Sequence, residues 1–170
     1  MTASQPVILL TTHLADETAR LLDSFATRRP SEGVVYWFGL ELGDFSVVTT
    51  LVVPDADTRD GAVRTSAAAN ADVLRAIVGT PLVYLGQAHS HPTSHVRHSI
   101  VDDEETFARF DGAISVVVPW LGRYGFDVEQ CGVHRHVGGR FREVKDVATH
   151  LRLVPGLLDL RPQDGSRCAP

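Results

Sequence analysis

The stretch from Leu82 to Phe110 constrains the fold of this chain more than any other, because an apolar run leads directly into a cluster of ligand-type residues. The run from Leu82 to Ala88 predicts a buried strand. It continues into His89 and His91, and side chains two positions apart in an extended chain point to the same side. The sequence therefore predicts two imidazoles on one face at the end of a buried strand.

Five residues of this stretch follow the spacing His-x-His-Pro, six residues, Ser-x-x-Asp: His89, His91, Pro92, Ser99 and Asp102. Two imidazoles and one carboxylate are a ligand set that holds a zinc ion and leaves a fourth position for water, which separates catalytic from structural zinc sites. The spacing therefore predicts one Zn²⁺ per chain, bound by His89, His91 and Asp102, and a hydrolase as the functional class.

Ser99 and Asp102 also have a purely structural interpretation. Serine followed three residues later by an acidic residue is a helix-capping signature, which predicts a helix from Ser99 to Phe110 with Asp102 in its first turn. Taken alone, capping explains the pair as well as catalysis does. The histidines that precede it favour a site, since a helix N-terminus can also steady an anion.

Other ligand-type residues have weaker claims. Those in the same stretch are interpreted mostly as solvated neighbours of the site: His95, His98, Asp103, Glu104 and Glu105. His134 and His136 form a second His-x-His, but they lie in a predicted hairpin with no carboxylate at a useful spacing. We interpret that pair as part of a surface strand.

The rest of the chain predicts an α/β fold of mixed (α+β) type, with a mixed β-sheet flanked by helices, because hairpins and single strands alternate irregularly with helical segments. The predicted elements are a helix over Thr12–Arg29, a hairpin of strands 34–42 and 45–53, a helix near 66–78, a strand at 113–118, a hairpin near 132–144 and a weak terminal helix. We expect one domain over residues 1–154 and a flexible tail over 155–170.

Composition excludes several classes of protein. A length of 170 residues with 44% hydrophobic residues fits one domain with a real core. The net charge of −5 gives no basic surface for nucleic acid. The opening apolar run, PVILL, is too short for a signal peptide or a membrane span, and two cysteines make no disulfide framework. We therefore expect a cytoplasmic protein with neither a nucleic-acid nor a membrane partner.

Hydrolysis of a peptide bond needs a carboxylate that is not a ligand, because water must lose a proton and the leaving amine must gain one. Glu32 and Glu41 are the upstream candidates, both in or beside the first predicted hairpin. Spacing alone does not choose between them.

The stretch resembles the JAMM motif of JAB/MPN-type zinc metallopeptidases, a distant Glu followed by His-Ser/Thr-His-Pro, six residues and Ser-x-x-Asp. His89-Ser90-His91-Pro92, Ser99 and Asp102 match it without a gap. In such proteins the Glu is commonly followed seven residues later by Gly, which Glu32 and Gly39 match and Glu41 does not. The resemblance implies a cytidine-deaminase-like JAB/MPN domain, Glu32 as general acid/base, and Ser99 as hydrogen-bond donor to the oxyanion.

The resemblance also implies a substrate class. Stand-alone JAB peptidases of this size resemble those of bacterial ubiquitin-like conjugation systems, some of them linked to antiphage defence. The expected activity is a deubiquitinase-like isopeptidase or processing peptidase that cleaves after the C-terminal Gly of a ubiquitin-like protein, with E1-like and E2-like proteins as partners. The alternatives are a peptidase acting on a sulfur-carrier adduct, a non-catalytic MPN scaffold and, ranked low, a branch associated with DNA repair.

Overall fold

The computed structural model describes residues 5–27, 30–59 and 62–158. Ten strands occur in this part of the chain: β1 (Val7–Thr11), β2 (Val34–Leu42), β3 (Phe45–Val52), β4 (Ala56–Arg59), β5 (Ala62–Thr65), β6 (Val83–Ser90), β7 (Ile114–Val118), β8 (Gly132–Val137), β9 (Arg140–Glu143) and β10 (Leu151–Val154). The α-helices are α1 (Thr12–Phe25), α2 (Ala67–Ile77) and α3 (Ile100–Glu104). Short 3₁₀ helices cover Pro119–Gly122 and Val147–Thr149.

Eight of the strands form one mixed sheet in the order β10-β1-β3-β2-β6-β7-β8-β9. β1 pairs in parallel with β10 and β3, β6 pairs in parallel with β7, and the remaining pairs are antiparallel. β4 and β5 form a separate antiparallel pair. The predicted mixed sheet with flanking helices is confirmed.

Strand β2 is buried on both faces, which explains its unbroken apolar run. Val35 and Trp37 pack into the core under α1. Tyr36 and Phe38 face the opposite way and pack with Val73 of α2. Because neighbouring side chains of a strand point to opposite faces, this alternation places α1 and α2 on opposite sides of the sheet.

Gly39 has a packing role in this strand. The pairing of β2 with β3 shifts register between Phe38 and Gly39. A Cβ atom at Gly39 would collide with the backbone carbonyl of Val47. Glycine is required there because the two backbones approach too closely for any side chain.

Four details differ from the sequence-based expectation. Helix α1 ends at Phe25 rather than Arg29, and residues 28 and 29 lie outside the described part. The expected helix over 99–110 is only the five residues of α3, and the polar segment after β3 forms β4 and β5. The prediction of a weak terminal helix was wrong, because residues 151–154 form β10 and pair with β1.

The expected tail over residues 155–170 lies largely outside the described part, which ends at residue 158. The division into a domain over 1–154 and a tail therefore stays a prediction. In the described part, no helix has the length and apolar character needed to cross a membrane.

Candidate metal centre

Strand β6 delivers the two histidines of the motif to one face of the sheet. His89 lies in β6 opposite Val34 of β2. Ser90 points to the other side, where its hydroxyl accepts a hydrogen bond from the Gly33 amide at 3.0 Å. The rings of His89 and His91 lie on the same side with their centroids 5.1 Å apart. Strand alternation thus produces the predicted pair of imidazoles.

Asp102 reaches the same place from helix α3. The Ser99 amide donates to Asp102 Oδ2 at 2.6 Å, and the Asp102 amide donates to Ser99 Oγ at 3.1 Å, which is a reciprocal capping box. Asp102 Oδ1 lies 3.6 Å from His89 Nε2, and Asp102 Oδ2 lies 3.5 Å from His91 Nε2. The capping interaction therefore aims the carboxylate at both rings.

The three predicted ligand residues offer donor atoms that lie within 4.8 Å of one another. Both ring nitrogens of His89 are buried without a hydrogen-bond partner. An unpartnered buried polar atom costs free energy, and a cation beside the ring would remove that cost. Two imidazoles and a carboxylate are also the donor set that zinc accepts. The residues present fit a metal ion.

The protonation states of two of the ligand residues, His89 and Asp102, also suit a cation. Burial lowers the pKa of His89, so its ring stays neutral. Burial opposes ionisation of Asp102, but His89, His91 and the Ser99 amide outweigh it and hold the pKa of Asp102 well below its usual range. A neutral imidazole and an ionised carboxylate are the forms that bind metals.

His91 is held in a defined orientation by its second nitrogen. His91 Nδ1 lies 2.7 Å from the backbone carbonyl oxygen of His95 and donates a hydrogen bond to it. This leaves Nε2 as the free donor atom, which is the nitrogen that faces Asp102. A carbonyl on the outer nitrogen is a common way to fix the tautomer and orientation of a metal-binding histidine.

Glu32 lies beside this group of ligands and Glu41 does not. Val34 pairs with His89, so two further residues of the same antiparallel register would bring Glu32 opposite His91. Glu32 is only 6% exposed, and burial raises the pKa of its carboxyl group, with the charges of His91 and Asp102 as smaller and opposing influences. Glu41 pairs with Ser46 near the far end of β2.

Ser99 occupies the rim of the site. Its side-chain oxygen accepts the hydrogen bond from the Asp102 amide, and the residue is exposed. A serine hydroxyl has one proton to donate and two lone pairs, so its O–H is still available to a substrate oxygen. Capping and substrate contact are compatible at this position.

A cavity next to the ligands adds residues that the sequence did not single out. It is lined by His89 and Asp102 and also by Tyr36, Thr65 and Gln87. Gln87 was within reach of sequence reasoning, because it precedes His89 by two residues on the same strand and so shares its face. Tyr36 and Thr65 depend on pairing and on packing between distant segments, which no local pattern shows.

The interpretation of His134 and His136 as surface residues was wrong. They are 4% and 5% exposed, and strand β9 pairs with β8 at this edge. His136 Nδ1 lies 3.1 Å from Asp111 Oδ1, and the His134 ring centroid lies 4.3 Å from that of His98. In the described part of the chain, they do not join the metal-ligand group.

His98 is also not a solvated neighbour. Its side chain is 6% exposed. His98 Nδ1 lies 2.7 Å from Asp103 Oδ1, and its Nε2 lies 2.9 Å from Ser115 Oγ. No local pattern indicates these contacts, because Ser115 belongs to β7 and reaches His98 only through the fold.

Comparison with known proteins agrees with this geometry. No protein-family model matches the chain. A protein of Sinorhizobium fredii (strain NBRC 101917 / NGR234), named "Probable metalloprotease y4jG", is 31% identical over 108 residues, which cover 61% of this chain. The match spans 66% of that relative, just under two thirds of its length.

Two solved structures share the architecture at low sequence identity. Protein DSY2949 from Desulfitobacterium hafniense has a TM-score of 0.66 and 17% identity, with 89% of this chain and 95% of that chain covered. AF2198, a JAB1/MPN domain protein from Archaeoglobus fulgidus, has a TM-score of 0.48 and 19% identity, with 89% and 100% covered. The fold shared with DSY2949 and the arrangement of His89, His91 and Asp102 are consistent with the resemblance of the sequence to JAB/MPN domains that carry the JAMM motif.

Proposed function

We propose that this protein is a zinc-dependent metallopeptidase. The observation that carries the proposal is the convergence of His89, His91 and Asp102 within 4.8 Å, with the buried carboxyl group of Glu32 beside them. The similarity to a protein named as a probable metalloprotease supports it. We further propose that each chain holds one zinc ion.

The zinc ion, when bound, supplies a Lewis acid that polarises the scissile carbonyl group and lowers the pKa of water. Glu32 takes a proton from the attacking water and later gives it to the leaving amine, because it is buried and its pKa is raised above the ordinary value for glutamate. Ser99 donates its hydroxyl proton to the oxygen that becomes negatively charged. The capping box holds Ser99 and Asp102 in a fixed relation while this happens.

The proposed substrate is a ubiquitin-like protein with a C-terminal Gly, either as a precursor or joined to a target. The resemblance to peptidases of bacterial conjugation systems supports this choice.

The proposed setting is the cytoplasm of a bacterium that encodes E1-like and E2-like partners, where the enzyme would release or mature the ubiquitin-like protein in an antiphage system. The acidic net charge of −5 is consistent with a protein partner rather than a nucleic acid.

The decisive experiment compares Glu32→Gln with Glu41→Gln in the purified protein. Both variants exchange one glutamate for its amide, but only Glu32 lies by the ligands. We expect Glu32→Gln to lower the cleavage rate by about 100-fold or more while retaining equimolar zinc, because removal of a general acid/base typically costs about 100-fold to 10,000-fold. Glu41→Gln should cleave like wild type.

Cleavage is followed by mass spectrometry on a ubiquitin-like precursor with a C-terminal extension, and zinc by elemental analysis. Near-normal cleavage by Glu32→Gln would refute the assigned base. Parallel reactions with a sulfur-carrier adduct distinguish the alternative substrate. A wild-type protein that binds equimolar zinc yet cleaves neither would support a non-catalytic scaffold.

A further inference from the structure

His98 connects the helix that carries Asp102 to the central sheet. It directly precedes Ser99, the N-cap of α3, and its side chain is 6% exposed. One ring nitrogen faces Asp103 Oδ1 at 2.7 Å, within α3, and the other faces Ser115 Oγ at 2.9 Å, within β7. The imidazole is therefore a bridge with one end on the helix and the other on the sheet.

The chemistry of the two partners fixes the state of this bridge. A carboxylate only accepts hydrogen bonds, so His98 Nδ1 carries the ring proton and donates a hydrogen bond to Asp103. His98 Nε2 then accepts a hydrogen bond from the Ser115 hydroxyl. Burial lowers the pKa of His98, in agreement with a neutral ring that donates once and accepts once. Both polar ends of the ring are satisfied, which restricts its orientation.

Helix α3 needs such a connection because its own packing is weak. It has five residues, and none of them is buried. Two hydrogen bonds hold its C-terminal side: Thr106 Oγ1 donates to the Asp102 carbonyl at 2.8 Å, and the Phe107 amide donates to Gln87 Oε1 at 3.3 Å. On its N-terminal side, His98 supplies the link to the sheet.

The anchor point on the sheet lies close to the histidine ligands. Ser115 pairs with Gln87, which is two residues before His89 on the adjacent strand β6. The His98 ring also packs against the His89 ring, with centroids 5.3 Å apart. The bridge therefore relates the position of α3 to the same strand that carries the first histidine.

We propose that His98 is a positioning residue that holds α3 against β7 and so keeps Asp102 at the distance from His89 and His91 that a metal ion requires. This rests on the proposed metal-dependent function, and it adds a residue outside the ligand set. The ring does not coordinate the ion itself, because both of its nitrogens are engaged with Asp103 and Ser115.

The test measures the zinc dissociation constant of the full-length protein by competition with a chromophoric chelator. His98→Phe keeps a ring of similar size but removes both hydrogen bonds. His136→Phe is the matched control, because His136 is also buried and bound to an aspartate, Asp111. Among the described residues, its side-chain hydrogen bond and its ring contact go to Asp111 and Phe141, not to α3. We expect His98→Phe to raise the dissociation constant by about 10-fold to 100-fold, as loss of an outer-shell partner does. His136→Phe should leave it unchanged.

Single-arm variants keep the proposal testable if His98→Phe does not fold. Ser115→Ala and Asp103→Ala each remove one end of the bridge, and His98→Asn retains a donor toward Asp103. Each should weaken zinc binding by less than His98→Phe. Zinc binding as tight as wild type in folded His98→Phe, or in both Ser115→Ala and Asp103→Ala, would overturn the proposal.

Two further outcomes separate this inference from the proposed function. If the wild-type protein binds no zinc, both fail. If wild type binds zinc and His98→Phe and His136→Phe lose thermal stability equally without any change in zinc affinity, the bridge is only structural, and the metallopeptidase proposal stands.

Discussion

Two buried His-x-His pairs occur, one at the end of strand β6 (His89 and His91, the β6 pair) and one within strand β8 (His134 and His136, the β8 pair). Only the β6 pair belongs to the ligand group found among the described residues. The pairs even share one face of the sheet. Gln87, two residues before His89, pairs with Ser115, and Ser115 pairs with His134. Spacing, burial and face are therefore alike in the two pairs.

The difference lies in the acidic residue that each pair receives from elsewhere. Asp102 lies between the two rings of the β6 pair, at 3.6 Å from His89 and 3.5 Å from His91. Among the described residues, Asp111 contacts one ring of the β8 pair, that of His136. It also accepts a hydrogen bond from the Gly138 amide at 3.0 Å. One carboxylate that serves both rings completes a ligand group that could hold a metal ion, whereas one that serves a single ring and a turn makes a structural contact.

Exchanging each of the two carboxylates for its amide tests the difference between the two pairs most directly. We expect Asp102→Asn to weaken zinc binding by more than about 100-fold, because loss of a ligand costs more than the roughly 10-fold to 100-fold cost of losing an outer-shell partner. Asp111→Asn should bind zinc like wild type. Competition with a chelator measures both constants. Equal zinc affinity in the two variants would show that Asp102 is not a ligand.

The burial of His134 should affect the acid stability of the metal-free protein. Burial, followed by the charge of His98, lowers the pKa of His134 from its ordinary value of 6.5 to about 4. Between these values the unfolded chain binds more protons than the folded one, so the free energy of unfolding falls as the pH falls. The loss approaches about 1.4 kcal/mol per pH unit, or about 3 kcal/mol across the interval.

His134→Gln should remove this contribution. Chemical denaturation between pH 4 and 7, with a chelator present, would show a shallower dependence of unfolding free energy on pH in the variant. Above pH 7 the free energy of unfolding should depend on pH in the same way in both proteins, because the imidazole is then neutral in the folded and the unfolded state. An unchanged slope between pH 4 and 6.5 would mean that His134 is solvated in the folded protein.

The sequence predicted the β6 side of the comparison because its signals are local. A buried strand, strand alternation and a helix cap are each encoded within a few residues, and they are enough to bring His89, His91 and Asp102 together. The position of Glu32 could not be predicted from local signals, since its place beside His91 depends on the pairing of β2 with β6. The resemblance to a known motif supplied that information.

The β8 side could not be predicted in the same way. His134 and His136 look like alternating surface residues until β9 and the Phe141 ring cover them, with the Phe141 and His136 ring centroids 5.2 Å apart. Strand β10 was predicted as a helix because no local pattern shows its pairing with β1, which joins segments about 140 residues apart. Such contacts are properties of the assembled sheet rather than of any local pattern.

The turns next to the two pairs offer the smallest test. Strand β8 ends in a hairpin with Gly138 at φ 59° and Gly139 at φ 86°, where glycine adopts the left-handed conformation without strain. At the metal centre the equivalent conformation falls on Trp120 at φ 56° and Leu121 at φ 61°, and the Leu121 amide donates to the His91 carbonyl at 2.8 Å. Non-glycine residues in this region cost roughly 1–2 kcal/mol each.

Gly138→Ala should therefore lower the free energy of unfolding by about 1 kcal/mol, measured by denaturant titration, without a change in zinc affinity. A Cβ atom at Gly138 would meet nothing within 4 Å, so the whole effect is conformational. Gly138→Asn should cost less than Gly138→Ala, because asparagine tolerates the left-handed region better. If Gly138→Ala were neutral, the left-handed backbone conformation would carry little strain in this fold. The positive φ angles of Trp120 and Leu121 would then not distinguish the metal centre from the β8 hairpin.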